Sequence, residues 1–195
     1  HPLIIKVASI QQARMQVYFI DNEEYFQRKF TTVDKNGKFF EDNDERTVFF
    51  SRGVIETVKK LGWAPDIVHC HGWMSALVPL YIRRAFKDNP LFNDTKIIVS
   101  LYNDHFDAKL NDNLPQKIKM EGIEESDLDI YKDGNYMDLM RGALQFADAI
   151  IYGAEELSAE YVKMAEETGK PILTYQGEED YVNAYNTFYD SLLED

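Results

Sequence analysis

Pro65-Asp66-Ile67-Val68-His69-Cys70-His71-Gly72-Trp73 is the stretch that decides the fold. It is short and rich in apolar residues, opens at a proline and stops at a glycine, and so reads as a buried strand. A helix is expected directly after it, over Ser75–Lys87. Lys96–Leu101 reads as a second buried strand and Asp148–Tyr152 as a third, with a helix expected over Glu155–Thr168. A short strand, Pro171–Tyr175, and a last helix, Glu178–Leu193, close the chain. Buried strands alternating with helices imply an α/β domain with a mainly parallel sheet and helices on both faces. On the N-terminal side, Leu3–Ile10 and Gln16–Ile20 read as two strands of a hairpin. Lys35-Asn36-Gly37-Lys38 is a turn signal. Asn43 is the expected cap of a helix over Asp44–Leu61, whose Val48, Ile55, Val58 and Leu61 fall near one face and whose stop is Gly62. Asp107–Tyr136 is the least regular stretch. It follows a strand end, so it is expected at the carboxyl edge, where open α/β sheets bind ligands.

The chain has 195 residues, 45% hydrophobic and 13% aromatic, enough for one domain with a real core. Its 34 acids against 21 bases leave −13, which argues against nucleic acid and anionic membrane as partners. Residues 155–195 alone hold 11 acids and 2 lysines, a net −9. One cysteine, Cys70, allows no internal disulfide, which fits a reducing, cytoplasmic setting. No apolar run is long enough to span a bilayer. The chain opens on His1-Pro2-Leu3-Ile4-Ile5 without Met or a basic leader, so it is expected to be the remainder of a longer polypeptide.

Within the strand, His69 and His71 share a face and Cys70 points the other way. Two imidazoles need further ligands to hold a metal, and only His1 and His105 remain, so no metal site is assigned. The same alternation separates Cys70 from its neighbours and removes a Cys-His nucleophile. No glycine-rich phosphate loop or Gly-x-Ser-x-Gly elbow is present, and no cofactor or catalytic residue is assigned. Two strand tips stand out instead, His71-Gly72-Trp73 and Tyr102-Asn103-Asp104-His105-Phe106. Aromatic rings, an amide and imidazoles together suit a sugar, whose C–H faces stack and whose hydroxyls need partners. The glycan-binding candidates are His71, Trp73, Tyr102, Asn103 and His105. The alternative for Trp73 is that it opens the helix and packs beneath it.

Asp21-Asn22 with Tyr25-Phe26, Asp44 with Arg46 and Phe49, and above all Pro65–Pro79 resemble the N-terminal, acceptor-side domain of bacterial glycogen synthases and plant starch synthases. The likeness continues through Lys96–Asn103 and Ala147-Asp148-Ala149-Ile150-Ile151. The resemblance implies a Rossmann-like domain forming one half of a GT-B glycosyltransferase, related to glucosyl transfer from ADP-glucose to an α-1,4-glucan. Four departures stand against that pattern. Gly72 replaces the family's Asp before Trp73, and Tyr102 replaces its active-site His, while Asn103 is kept. The family's Lys-x-Gly-Gly loop and its C-terminal sugar-nucleotide domain are not found in the sequence. The tail Tyr181–Leu193 looks like the last helix of such enzymes, which crosses back onto the first domain. The expected organisation is therefore one domain over 1–195, with strands in 1–20, an α/β core in 21–175 and a returning helix in 176–195. The expected function is a synthase-like domain with no transferase activity alone; the alternative is a non-catalytic α-glucan-binding or regulatory module. In the resembled fold another strand lies beside Asp66–His71. A missing N-terminal fragment or a second copy is therefore expected as partner, beside an α-glucan or oligosaccharide.

Overall fold

The computed structural model describes residues 1–194. Its centre is a parallel sheet of four strands in the order β3-β4-β5-β6, formed by Ile67–His71, Lys96–Leu101, Ala149–Tyr152 and Ile172–Leu173. The register pairs Cys70 with Val99 and Val99 with Ile150. β1 (Ile4–Ile10) and β2 (Met15–Asp21) form a separate antiparallel hairpin, as the two N-terminal runs predict.

Alternation along the strands sorts side chains between two faces. Val68, Cys70, Ile97, Val99, Leu101 and Ile150 face the main core. That core is covered by α1 (Asn43–Leu61), α2 (Val78–Arg83), α5 (Tyr136–Phe146) and α6 (Ala159–Glu166). The opposite face presents Ile67, Ile98, Ala149, Ile151 and Leu173, and α7 (Tyr181–Leu193) lies on it through Tyr185, Phe188, Tyr189 and Leu192. The expected last helix is thus docked back on the domain and helices occupy both faces.

Several boundaries differ from the sequence reading. The helix expected over Ser75–Lys87 begins as a 3-10 turn, Trp73–Ser75, and is α-helical only over Val78–Arg83. Pro79, which lacks an N–H, is tolerated because it sits in the first turn. α1 starts one residue early, with Asp42 before it. Asn43 lies inside the helix because its amide donates to the Thr32 carbonyl and accepts from Arg46. α1 ends at Gly62 in the left-handed conformation, as expected. α6 and α7 are shorter than their expected spans, and Glu178-Glu179 precede α7 instead of opening it. Asp107–Tyr136 is not a ligand loop throughout. Two short helices, α3 (Leu114–Ile118) and α4 (Glu125–Leu128), return it to the core, where Leu110, Leu114, Ile118, Ile123, Leu128 and Tyr131 are buried.

Tyr131 sets a tight constraint. It is fully buried, its hydroxyl has no hydrogen-bond partner among the described residues, and its ring lies against Gly142 of α5. A Cβ at Gly142 would overlap the ring and hydroxyl. Gly142→Ala is expected to destabilise the fold by about 1–3 kcal/mol despite its better helix propensity, because overpacking outweighs propensity. Urea denaturation of the variant checks this, and an unchanged or raised midpoint would show that the core relaxes around the methyl group.

Candidate functional site

The parallel pairing of β3 with β4 brings the two quoted strand tips together. His71 stands opposite Ser100, and the next residue of β4's strand exit is Leu101 followed by Tyr102. The Tyr102 hydroxyl lies 2.7 Å from His71 Nδ1. Tyr102 can approach because residue 153 is glycine: a Cβ there would overlap the tyrosine ring. Asn103 is exposed, but its amide is engaged. It donates to the Glu156 carbonyl at 2.5 Å and accepts from the Ser158 N–H at 3.1 Å, pinning the loop after β5. His105 is exposed beside Tyr136, with ring centroids 6.5 Å apart.

Trp73 is placed differently from the other candidates. Only 7% of it is exposed, and it packs against Phe106 at 4.8 Å and Phe39 at 5.9 Å between ring centroids. The indole opens the turn into α2 and packs beneath it, the placement that the alternative for Trp73 describes. His71, Tyr102, Asn103 and His105 remain at the edge.

Asp104 is the residue that sequence reasoning passes over, although it lies inside the second tip. Its carboxylate accepts from the Tyr136 hydroxyl at 2.6 Å and from the Trp73 N–H at 3.2 Å, so one side chain ties β4's exit to α5 and to the turn after β3. Gly72 makes room for it. A Cβ at residue 72 would stand 3.2 Å from Asp104 Oδ2, and Gly72 has φ 73° and ψ 161°, a conformation essentially reserved for glycine. The departure at position 72 and the aspartate at 104 are therefore one local arrangement. Burial, followed by the hydrogen bond to Asp104, raises the Tyr136 phenol well above its ordinary range.

Beneath the tips, His69 is held on both nitrogens. Nδ1 lies 2.6 Å from the Tyr189 hydroxyl of α7, and Nε2 lies 2.6 Å from Ser100 Oγ. The His69 and His71 rings are 3.9 Å apart. Burial, then the neighbouring His71, lowers the His69 pKa to about 3. Burial lowers His71 as well. Both are neutral hydrogen-bonding groups near pH 7. Among the described residues no cluster of three or more His, Cys, Asp or Glu is arranged to hold a metal ion. Burial pushes the Cys70 thiol up to about 12, which keeps it unreactive. No helix is long and apolar enough to cross a membrane, among the described residues.

A cavity of about 450 Å³ lies elsewhere, between α1 and the N-terminal segment, lined by Leu3, Tyr25, Glu45, Phe49, Arg52 and Lys117. Its charged groups are already matched. Lys117 pairs with Asp44 and Glu45, and Arg52 donates to the carbonyls of Lys117, Ile118 and Lys119 at the end of α3. These contacts fasten α3 to α1.

Residues 2–170 match the family described as starch synthase catalytic domain. The chain is 33% identical to a glycogen synthase of Chlorobium limicola over 150 residues, covering 76% of this chain and 30% of that protein. It is 38% identical over 103 residues to a glycogen synthase of Chlorobaculum tepidum, covering 52% and 21%. The chain thus spans about a third or less of the length of these relatives. The catalytic domain of starch synthase IV from Arabidopsis thaliana, solved bound to ADP and acarbose, superposes with a TM-score of 0.64 at 18% identity over 89% of this chain and 36% of that one. That likeness establishes the shared fold.

The buried histidine has a consequence for stability. Unfolded, its imidazole titrates near the ordinary value of about 6.5; folded, it stays neutral down to about pH 3. Between these values the unfolded chain binds a proton that the folded chain does not, so stability rises with pH across that window. The His69 contribution is fully present above about pH 6.5 and is lost progressively as pH falls towards 3. Urea midpoints should therefore drop between about pH 7 and 5, where most carboxylates stay ionised. His69→Gln should show a flatter dependence over that range. Equal slopes for the two proteins would assign the titration to other groups.

Proposed function

Because the chain belongs to the starch synthase catalytic domain family, we propose that it serves as the acceptor-side part of a glucosyltransferase. In this reading it holds an α-glucan at the carboxyl edge of its sheet and transfers no glucose by itself. It is a glycogen/starch synthase-like glycosyltransferase domain; its own substrate and activity are what is proposed. The observation that carries the reading is the gathering of His71, Tyr102, Asn103 and His105 on two neighbouring strand tips of this family's fold. His71 and Tyr102 offer a paired imidazole and phenol to sugar hydroxyls. His105 is exposed on the rim with Asp107 3.8 Å from its Nε2, and Asn103 keeps the loop after β5 beside them. The starch synthase of similar fold was solved with ADP and acarbose, which supports a nucleotide-linked, saccharide-directed chemistry for the whole architecture.

The argument for inactivity rests on the same residues. A departing nucleotide diphosphate needs placed cations or donors. No lysine or arginine is among the hydrogen-bonding or ion-pair partners of His71, Tyr102, Asn103, Asp104 or His105, among the described residues. Tyr102 stands where the resembled enzymes carry a histidine, and burial raises its phenol above the ordinary tyrosine range, so it does not replace an imidazole. The second reading, a regulatory α-glucan-binding module, is favoured by these same two features. The outer edge of β3 pairs with nothing in the four-stranded order, and we assign it to a further strand, from an N-terminal fragment or a second copy. Intact mass and light scattering on the purified protein test this, and a 22.7 kDa monomer without added peptide would contradict it.

The purified 195-residue polypeptide is expected to incorporate no labelled glucose from ADP-glucose into glycogen. It is expected to bind maltooligosaccharides weakly, with Kd about 0.1–10 mM, because a half-open edge encloses little of the ligand. His71→Ala and His105→Ala should weaken that binding. Steady incorporation abolished by Asn103→Ala would overturn the claim of inactivity, and a wild-type protein that binds no maltooligosaccharide would overturn the site.

A further inference from the structure

Trp73 is buried, and a row of aromatic rings lies next to the strand tips on another element. α7 falls outside residues 2–170, the part that matches the family. Tyr181, Tyr185 and Tyr189 recur every four residues, so they share one side of the helix. Their rings form a row: Tyr181 to Tyr185 is 5.8 Å between centroids, and Tyr185 to Tyr189 is 6.1 Å. The row continues into the site. Tyr185 lies 5.9 Å from the His69 ring, His69 lies 3.9 Å from His71, and His71 lies 6.1 Å from Tyr102. The end of the row away from the sheet is open, with Tyr181 46% exposed and Tyr175, in the linker before α7, 38% exposed.

We propose that Tyr181 and Tyr185 of α7 form the stacking wall of the glucan site and extend it outward from His71 and Tyr102. The inference rests on the reading of the strand tips as a glucan site and adds to it the surface on which the sugar rings lie. Tyrosine suits the task because it offers an apolar face to sugar C–H groups and a hydroxyl to sugar oxygens. Tyr185, Phe188, Tyr189 and Leu192 dock the helix on the sheet, and the exposed Tyr181 lies outside that set. Charge narrows the occupant further. Residues 155–195 carry a net −9, which repels a polyanion and is indifferent to a neutral glucan chain. Burial, then the nearby phenols of Tyr102, Tyr175 and Tyr181, raises the Tyr185 pKa, in keeping with one clustered surface.

The test is a calorimetric titration of maltoheptaose into the wild-type protein and three variants. Tyr181→Ala removes an exposed ring and leaves the docking contacts in place; it should weaken binding about threefold to tenfold. Tyr181→Phe should retain most of the affinity, since the stacking face survives. Tyr181→Ala combined with Tyr185→Leu should abolish measurable binding while circular dichroism and the thermal midpoint show α7 still docked. Wild-type binding that both alanine-bearing variants retain would overturn the stacking wall and leave the strand-tip site standing. A wild-type protein that binds no maltoheptaose would overturn both. Affinity lost only together with the helical signal of α7 would assign the tyrosines to docking alone and overturn the proposal.

Discussion

Ile98, Ala149 and Ile151 stand on a sheet face that α7 covers, and much of the molecule's second layer follows from that constraint. A parallel sheet is apolar on both faces and needs cover on both. The first face has α1, α2, α5 and α6 over it. The second has the side of α7 that carries Tyr185, Phe188, Tyr189 and Leu192. At its carboxyl end this second face is also polar, with His69 and Ser100 beneath Tyr189. Apolar burial and a hydrogen-bonded triplet thus hold the same helix. The triplet satisfies groups whose burial unpaired would cost on the order of 1–3 kcal/mol each.

The site inherits its geometry from this arrangement. His71 lies one alternation beyond His69, on the same face, so the docked tyrosines and the strand-tip candidates are neighbours. From the other side, Asp104 draws α5 and the turn at Trp73 together through Tyr136 and the Trp73 N–H. Gly72 and Asp104 depend on each other here. The positive φ at Gly72 leaves no room for a side chain without strain, and the carboxylate is supplied from the adjacent strand's exit. The turn at Gly72 therefore has a carboxylate within reach from the neighbouring strand's exit.

The strands, their parallel sense and the hairpin were legible because period-two alternation and short apolar runs are local signals. His69-Cys70-His71 shows this best: opposite faces follow from backbone pleating alone, and Cys70 is buried while His71 is exposed. Helix limits were less legible. The residues after Trp73 are apolar on every side, so periodicity could not tell a 3-10 turn from the start of α2. α5 carries the signal of a capped helix, with Asn135 accepting from the Asp138 N–H and Tyr136, Leu139, Met140, Ala143 and Leu144 on its buried side. It remained obscure because it follows the irregular stretch that ends at Tyr136. At the candidate site, the nearness of the two tips followed from parallel pairing, whereas the burial of Trp73 depends on Phe39 and Phe106, distant in sequence.

What the sequence determined by itself was the α/β class, the family likeness centred on Pro65–Pro79, the sharing of one face by His69 and His71, and the convergence of two strand ends. Each rests on local periodicity or on a contiguous motif. Only the tertiary structure decided that Trp73 is core, that Asp104 occupies the space left by Gly72, and that Tyr189 closes over His69. Those outcomes join residues about 30 to 120 positions apart. No local pattern encodes them, because whether a side chain is covered depends on which remote element packs against it.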